Sequence, residues 1–298
     1  MPFILKKIKA EKGKKLSLFL LQNLTIHHTK AQKYASRGRV FDENMKVLKP
    51  KDIIDTHYIY MAVFEGATRG LKPLIEFENF AIFDKPTNLM VHPISKNTKY
   101  SLLDEIRYHF GENANLIHRI DAETSGLVIV GKNKKSEKQL KDMFETKQYH
   151  KSYLAIIEGE IDKEITIDSK LQKEGKNIGV RMSAGDEGKE SCTIIKPIKY
   201  NSERNITLVE AQPITGRQHQ IRVHLYSIGH RIIGDPIYGV DDDIAEAYLN
   251  KTLEQSIREK ETKGSRLWLH ANYLEFTFQG VIYKIFSKNK DIINEFNS

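Results

Sequence analysis

The chain has 298 residues, 40% apolar and 29% charged, the proportions of a folded globular protein with room for one large domain or two ordinary ones. No apolar run approaches the roughly 18 residues needed to span a bilayer, and the N-terminus MPFILKKIKAEKGKK lacks a signal peptide's apolar core and cleavage site, so a cytoplasmic protein is expected. Cys192 is the single cysteine, which excludes an intrachain disulfide and any multi-cysteine zinc site.

The charge is concentrated at one end. Residues 1 to 75 hold 15 Lys and Arg against 6 Asp and Glu, so the whole formal excess of +8 sits in the first quarter. A basic module joined to a near-neutral body points to an anionic partner, nucleic acid ahead of membrane, because the lysines lie on no strongly amphipathic helix.

After a basic lead-in, Leu16, Phe19, Leu20 and Leu24 recur at helical spacing and predict a helix with one buried face. Thr29, with Gln32 three residues on, has the pattern of a capping box for a second short helix bearing Lys30, Lys33 and Arg37, with Gly38 as its C-terminal cap. Arg39, Val40 and Phe41 then begin a strand. Two short helices followed by a small basic sheet resemble the alpha-L RNA-binding motif, with Lys15-Leu16-Ser17 where that family often has Arg-Leu-Asp. The resemblance implies that Lys30, Lys33 and Arg37 meet RNA phosphates.

Residues 65–74, EGATRGLKPL, read as a linker, which divides the chain into a basic domain at 1–70 and a second domain at 71–298. In the second, 75–83 reads as strand with a turn at Glu78 and Asn79. Ser136, with Gln139 three residues on, is placed to cap a helix whose inner face is Leu140, Met143 and Phe144. Strands are expected over 152–157, 206–211, 267–278 and 281–286. The Gly-rich polar segment 175–189 reads as a loop, and the charged segment 241–263 as an exposed helical insertion.

Several chemistries lack support. No Gly-x-x-x-x-Gly-Lys-Ser/Thr loop and no strand-linked Gly-x-Gly-x-x-Gly is present, so no nucleotide cofactor is expected. His219, His224 and His230 are spaced by five and six residues, which does not put two imidazoles on one helical face, and no His-Glu-x-x-His occurs. No metal site is expected. What remains is a cofactor-free site. In HRIDAETSG, residues 118–126, Asp121 follows Arg119 by two positions in a polar turn before the apolar run Leu127, Val128, Ile129 and Val130. A carboxylate at a strand entrance beside an arginine is either a catalytic group or an ion pair closing a turn.

Three further segments accompany it: DKPTNLMVHP at 84–93, KSYLAIIEG at 151–159 and TGRQHQIRVHLYSIGHRIIGDPIYG at 215–239. Taken alone, Tyr153 could be a half-buried strand residue and Arg222 a surface charge on an amphipathic strand. Together the four segments resemble the signature of the pseudouridine synthase family that modifies large-subunit ribosomal RNA, some of whose members act on transfer RNA. LWLHANYLEF at 267–276 fits that family's closing strand. Departures are Ile120 where Leu is usual, Gln218 for Ser or Thr, and Thr87-Asn88 for a small residue and glycine.

The resemblance implies an α+β fold: a small N-terminal alpha-L domain, then a catalytic domain with a large mixed, mostly antiparallel sheet and a central cleft. It implies an isomerase that needs no cofactor. Asp121 matches the catalytic aspartate, acting as nucleophile on the sugar or as base on a ribose proton. Tyr153 matches the tyrosine that packs on the flipped uracil, Arg222 the basic partner of the aspartate, and Arg119 the arginine that displaces the nucleotide. His118, Thr124 and His219 lie in the matching motifs and are expected at the substrate. The expected partner is large-subunit ribosomal RNA or its assembly intermediates, bound by a monomer, with transfer RNA as the alternative substrate. Two rivals stand outside this reading: a non-catalytic RNA-binding assembly factor, and a glycoside hydrolase working through Asp121 and Glu123, which the basic domain and missing sugar-binding aromatics disfavour.

Overall fold

The structure, a computed structural model, describes residues 3–23, 28–93, 98–174 and 178–298. The chain divides into two compact units, one of Met1–Leu71 with His92–Glu112 and the other of Lys72–Val91 with Asn113–Ser298.

The first unit contains β1 (Phe3–Lys9), α1 (Leu16–Asn23), α2 (His28–Ser36), β2 (Val40–Phe41), β3 (Tyr58–Phe64) and α3 (Leu102–Phe110). β3 is the middle strand, with β1 antiparallel on one side and β2 on the other. Leu16, Phe19 and Leu20 of α1 meet Ala31, Tyr34 and Ala35 of α2 over Val40, Ile54 and Ile59, so the helical spacing at Leu16 is the buried face expected of it. Leu24 lies outside the described residues. The basic lead-in, to which the sequence assigned no element, forms strand β1. One expectation is corrected here: Thr29 lies inside α2 rather than before it, because the helix already begins at His28.

The presumed linker is irregular but anchored. The buried Glu105 of α3 accepts the backbone N–H groups of Arg69 at 2.6 Å and Leu71 at 3.3 Å. These bonds give the segment's backbone donors partners that a free linker would find only in water.

The second unit contains, in chain order, β4 (Ile75–Glu76), β5 (Phe80–Lys85), β6 (Asn115–Leu116), β7 (Ser125–Gly131), α4 (Lys134–Glu145), β8 (Tyr149–Glu158), β9 (Ile165–Lys173), β10 (Met182–Ala184) and β11 (Lys189–Asn201). There follow β12 (Ile206–Pro213), α5 (Gln220–Ser227), α6 (Asp242–Leu249), α7 (Gln255–Thr262), β13 (Leu269–Phe278), β14 (Val281–Phe286) and α8 (Asp291–Asn297). Among the described residues, eleven strands form one sheet in the order β10-β9-β11-β12-β8-β13-β7-β5-β4, with β14 added to β13 and β6 to β7. Among the described strands only β13 and β7 pair in parallel, which is the large mixed, mostly antiparallel sheet expected. Phe80, Ile82, Leu127, Ile129 and Phe276 build an apolar core with Leu140 and Met143 of α4, while Leu154, Ile156, Leu208 and Trp268 build another with α8.

Three local expectations change in this unit. Asn133, not Ser136, caps α4: its side chain accepts the Ser136 N–H at 2.9 Å, and Ser136 answers from the third helical position because Lys134 and Lys135 are already helical. The segment 175–189 is not all loop, since Met182–Ala184 pair with Leu171–Lys173 as strand β10. The segment 241–263 forms α6 and α7 but is not wholly exposed, because Ala245, Arg258 and Thr262 are buried. No helix among the described residues is long and apolar enough to cross a membrane.

Candidate active site

Asp121 lies in the turn that enters β7, an interior strand that pairs with β13 on one side and β5 on the other. Each residue behind it is tied down. The buried Lys85 Nζ donates to the carbonyls of Ala122 and Pro86, both at 2.9 Å, and Thr87 Oγ1 donates to the carbonyl of Glu123 at 2.7 Å. The DKPTNLMVHP segment is thus a clamp on the backbone next to Asp121. Burial pushes the Lys85 ammonium down to about 7, against the attraction of Asp121 and Glu123. Asn88 has φ 60°, a left-handed conformation that Asn tolerates in place of the family's usual glycine. Gly126 closes the turn at φ 110°, where a Cβ would lie 2.3 Å from the Ala271 carbonyl oxygen, so only glycine lets β7 approach β13 here.

Arg222 comes from α5. It is 3% exposed and forms a two-pronged pair with Asp235, Nε to Oδ2 and Nη2 to Oδ1, each 2.7 Å. Asp235 also accepts the N–H groups of Ile237 and Tyr238, the Asx-turn chemistry of an Asp ahead of a Pro. Two guanidinium nitrogens are therefore spent on Asp235, and the third, Nη1, donates to Asp121 Oδ2 at 3.3 Å. Burial opposes the charge on Arg222, but Asp235 and Asp121 outweigh it and hold the group more firmly charged than usual. Asp235 is likewise held below the usual carboxylate range by Arg222 despite its burial.

The motif around Arg222 explains how α5 is aimed. Gln220 Nε2 donates to the Cys192 carbonyl and to Thr193 Oγ1, both at 2.9 Å, while its Oε1 accepts from Thr215 Oγ1 and the Arg217 N–H. His224 sits 2.8 Å from Ser191 Oγ and 2.9 Å from Thr193 Oγ1. Both side chains pin the helix to β11, which fixes the face that carries Arg222.

Tyr153 on β8 is buried opposite Ala211 of β12 and Ala271 of β13. Burial and then the charge of Asp121 push its phenol well above the usual value, so it is neutral at physiological pH. His219 caps α5, with Nε2 3.8 Å from Asp121 and Nδ1 2.9 Å from the Tyr238 hydroxyl. Burial and Arg222 bring it down to about 4 against the pull of Asp121, so the ring is neutral near pH 7 and makes no ion pair there. Asp121 itself keeps 31% of its side chain exposed.

The other expected residues divide. Arg119 is exposed two residues before Asp121. His118 is a correction: its ring stacks on Phe144 at 4.8 Å and its Nε2 accepts the Ile129 N–H, so it packs the loop instead of presenting itself to substrate. Burial pushes that imidazole down to about 3. Thr124 is buried at the entrance to β7. Lys33 and Arg37 are exposed in the first unit, and the side chain of Lys30 lies outside what the structure describes. Sequence reasoning did not name Lys85, Thr87 or Asp235 as members of the site, and named Glu123 only in the hydrolase alternative. Only Lys85 and Asp235 had a usable signal, as the polar residues preceding Pro in two of the motifs.

The site thus holds a partly exposed carboxylate, Asp121, facing the one nitrogen of the Arg222 guanidinium that Asp235 does not take. Comparison with known proteins makes this specific. Residues 79–227 match the family model for RNA pseudouridylate synthase. An uncharacterized RNA pseudouridine synthase of Helicobacter pylori strain 26695 is 37% identical over 96% of this chain and 94% of its own length. Ribosomal large subunit pseudouridine synthase D of Pseudomonas aeruginosa is 31% identical over 77% of this chain and 73% of its own. In structure, human RNA pseudouridylate synthase domain containing 1 shares the fold with a TM-score of 0.59 and 23% identity, over 76% of this chain and 87% of that one. The chain belongs to the RNA pseudouridylate synthase family. Its activity is that of an isomerase converting uridine in RNA to pseudouridine.

Proposed function

We propose that the enzyme acts on large-subunit ribosomal RNA in the cytoplasm, with Asp121 as the catalytic carboxylate, Tyr153 beneath the displaced uracil and Arg222 as the cation that keeps Asp121 ionised and aimed. The observation that carries the assignment is the pinned guanidinium: Asp235 takes two nitrogens of Arg222 and leaves Nη1 for Asp121 at 3.3 Å. A guanidinium so placed favours the charged carboxylate that either nucleophilic or basic chemistry requires. The reaction breaks the N1–C1′ bond, forms C5–C1′, releases the C5 proton and returns a proton to N1. Nothing is oxidised or hydrolysed. The target must leave its stack at a cost of a few kcal/mol, and stacking on an aromatic ring worth about 1–3 kcal/mol offsets much of that. Arg119, exposed two residues before Asp121, takes the role of displacing the nucleotide from its stack.

The basic first domain, residues 1–70, supplies sequence-independent phosphate affinity through Lys30, Lys33 and Arg37 as an alpha-L type module, while the second domain supplies chemistry. The ribosomal substrate is supported by that basic charge and by the large-subunit name of the Pseudomonas relative. The test is pseudouridine mapping of total RNA by carbodiimide-dependent reverse-transcription stops, in cells lacking the gene and complemented with wild type or Asp121→Ala. Large-subunit stops lost on deletion and restored only by wild type are expected. Loss of transfer-RNA stops instead would overturn the substrate, and rescue by Asp121→Ala would overturn the catalytic residue.

A further inference from the structure

The charged insertion reaches the active site. On α7, Arg258 is 6% exposed and donates from Nη2 to Glu123 Oε2 at 2.6 Å and from Nη1 to Oε1 at 3.4 Å. On α6, the Tyr248 hydroxyl donates to the same Oε1 at 2.5 Å. Glu123 is itself 5% exposed and follows Asp121 by two residues. Arg258 Nη2 also donates to the carbonyl of Gly234 at 3.3 Å, and the Gly234 N–H donates to the carbonyl of Thr262 at 2.8 Å, so α7 takes both backbone groups of that glycine. The next residue is Asp235, the carboxylate that pins Arg222.

One helix thus holds the residue two after Asp121 and the residue before Asp235. These are the chain segments that bring the carboxylate and the guanidinium together. We propose that Arg258 is a positioning residue for isomerisation: bridging Glu123 to Gly234, it fixes the separation of Asp121 and Arg222. This rests on the reading of Asp121 as the catalytic carboxylate. A buried ion pair is a poor source of net stability, because desolvation consumes most of the Coulombic gain, and its best-attested use is to fix register. Here two backbone segments more than a hundred residues apart need such registration. Lysine would not replace the arginine, since a point ammonium lacks the planar fork that meets a carboxylate and a carbonyl at once.

The experiment measures kcat and KM by tritium release from RNA carrying 5-tritiated uridine, alongside urea unfolding, for Arg258→Lys, Arg258→Met, Tyr248→Phe and the neutral pair Glu123→Gln with Arg258→Met. Displacement of reacting groups by about 1 Å costs on the order of a hundredfold in rate. Arg258→Met is expected to lower kcat about 10- to 100-fold with KM within about threefold, since no RNA contact is removed. Arg258→Lys is expected to keep most of the stability yet lose about tenfold in kcat, and the neutral pair to regain stability without regaining kcat. Full kcat in the neutral pair, or a loss confined to KM, overturns the proposal. Where Arg258→Met does not fold, Arg258→Lys and Tyr248→Phe decide, and unchanged kcat in both overturns it. Asp121→Asn, run in parallel, separates the two readings. Turnover by Asp121→Asn would remove the catalytic assignment, whereas a dead Asp121→Asn beside a fully active, folded Arg258→Met would remove only the positioning role.

Discussion

Asp235→Ala is the most informative single change, because it tests whether the guanidinium is held by its partner or by its surroundings. Arg222 is 3% exposed and its two bonds to Asp235 are 2.7 Å each. Removing one partner of a buried pair costs about 3–5 kcal/mol, since the remaining charge stays out of water. The Nη1 contact with Asp121 at 3.3 Å remains and draws the loss towards the lower figure. Against that, the N–H groups of Ile237 and Tyr238 lose their acceptor, at about 1–3 kcal/mol for each that water does not reach. The expected loss is about 4 kcal/mol. Asp235→Asn keeps an oxygen for both N–H groups and should lose about half as much. Trp268 is the only tryptophan and is buried in the second unit, so its fluorescence during urea unfolding reports on that unit. Freed from Asp235, the guanidinium turns fully onto Asp121, and kcat should fall about a hundredfold even where the protein is folded. An Asp235→Ala protein within about 1 kcal/mol of wild type would refute the reasoning, because the pair would then not be what holds Arg222.

Other changes are expected to act as follows. Gly126→Ala forces a side chain into a φ of 110° and to within 2.3 Å of the Ala271 oxygen, and should cost at least about 3 kcal/mol in the same unfolding assay. His118, His219 and His224 are held at about 3, 4 and 4, chiefly by burial. The folded protein therefore refuses protons that the unfolded chain accepts below about pH 6.5, so these groups' contribution is full above that pH and falls towards pH 4. Each removes up to about 1.4 kcal/mol per pH unit, and unfolding midpoints that stay level from pH 6.5 to 4.5 would contradict this. Neutralising Lys33 and Arg37 together should weaken RNA binding at every sequence and reduce the salt slope by about 2, with kcat unchanged, as measured by binding titrations at several salt concentrations. Lys85→Met relieves a buried ammonium held at about 7 but leaves the Ala122 and Pro86 carbonyls without their donor. At pH 7 it should shift stability by less than about 2 kcal/mol while lowering kcat at least about tenfold, and wild type should gain on it as pH rises from 7 towards 10.5.

The sequence carried the large features because they are written in local pattern. The apolar spacing of α1, the strand runs of β8, β12, β13 and β14, and the turn at Glu78 all follow from nearest-neighbour chemistry. The lysine-rich strands were harder. In β1 and β11 the charges sit among β-formers, and β11 buries Ser191, Thr193 and Ile195 on one face, a pattern that small polar residues conceal. QIRVHLYS alternates as a strand would, yet forms α5 because Gln220 and His224 find partners on β11. The motifs named Asp121 and Arg222, which lie 3.3 Å apart, but they did not name Asp235 as the clamp. Arg258 was least legible of all. Helix α7 reads as a solvated face, and the burial of its arginine depends on a glutamate 135 positions earlier that no local pattern reveals.

The ties around the catalytic turn share a feature that bears on how the enzyme meets RNA. Ala122 and Glu123 are held through their carbonyls by Lys85 and Thr87, Glu123 through its carboxylate by Arg258 and Tyr248, and Ser125 through its hydroxyl by Arg266. Gly126 is locked against β13. Every residue from 122 to 126 except Thr124 thus has a polar or steric anchor outside the turn, and Thr124 is buried. The side chains of Arg119 and Asp121 keep access to solvent. On the proposed reading of Asp121 as the reacting carboxylate, so fixed a support requires the nucleotide to be brought to it, as base flipping does. The charges that build this support, Lys85, Arg222 and Arg258, are all buried, where burial alone works against an ion. Their burial makes sense as geometry instead of stability, which is why we expect Lys85→Met and Arg258→Lys to separate the two, remaining folded while losing rate.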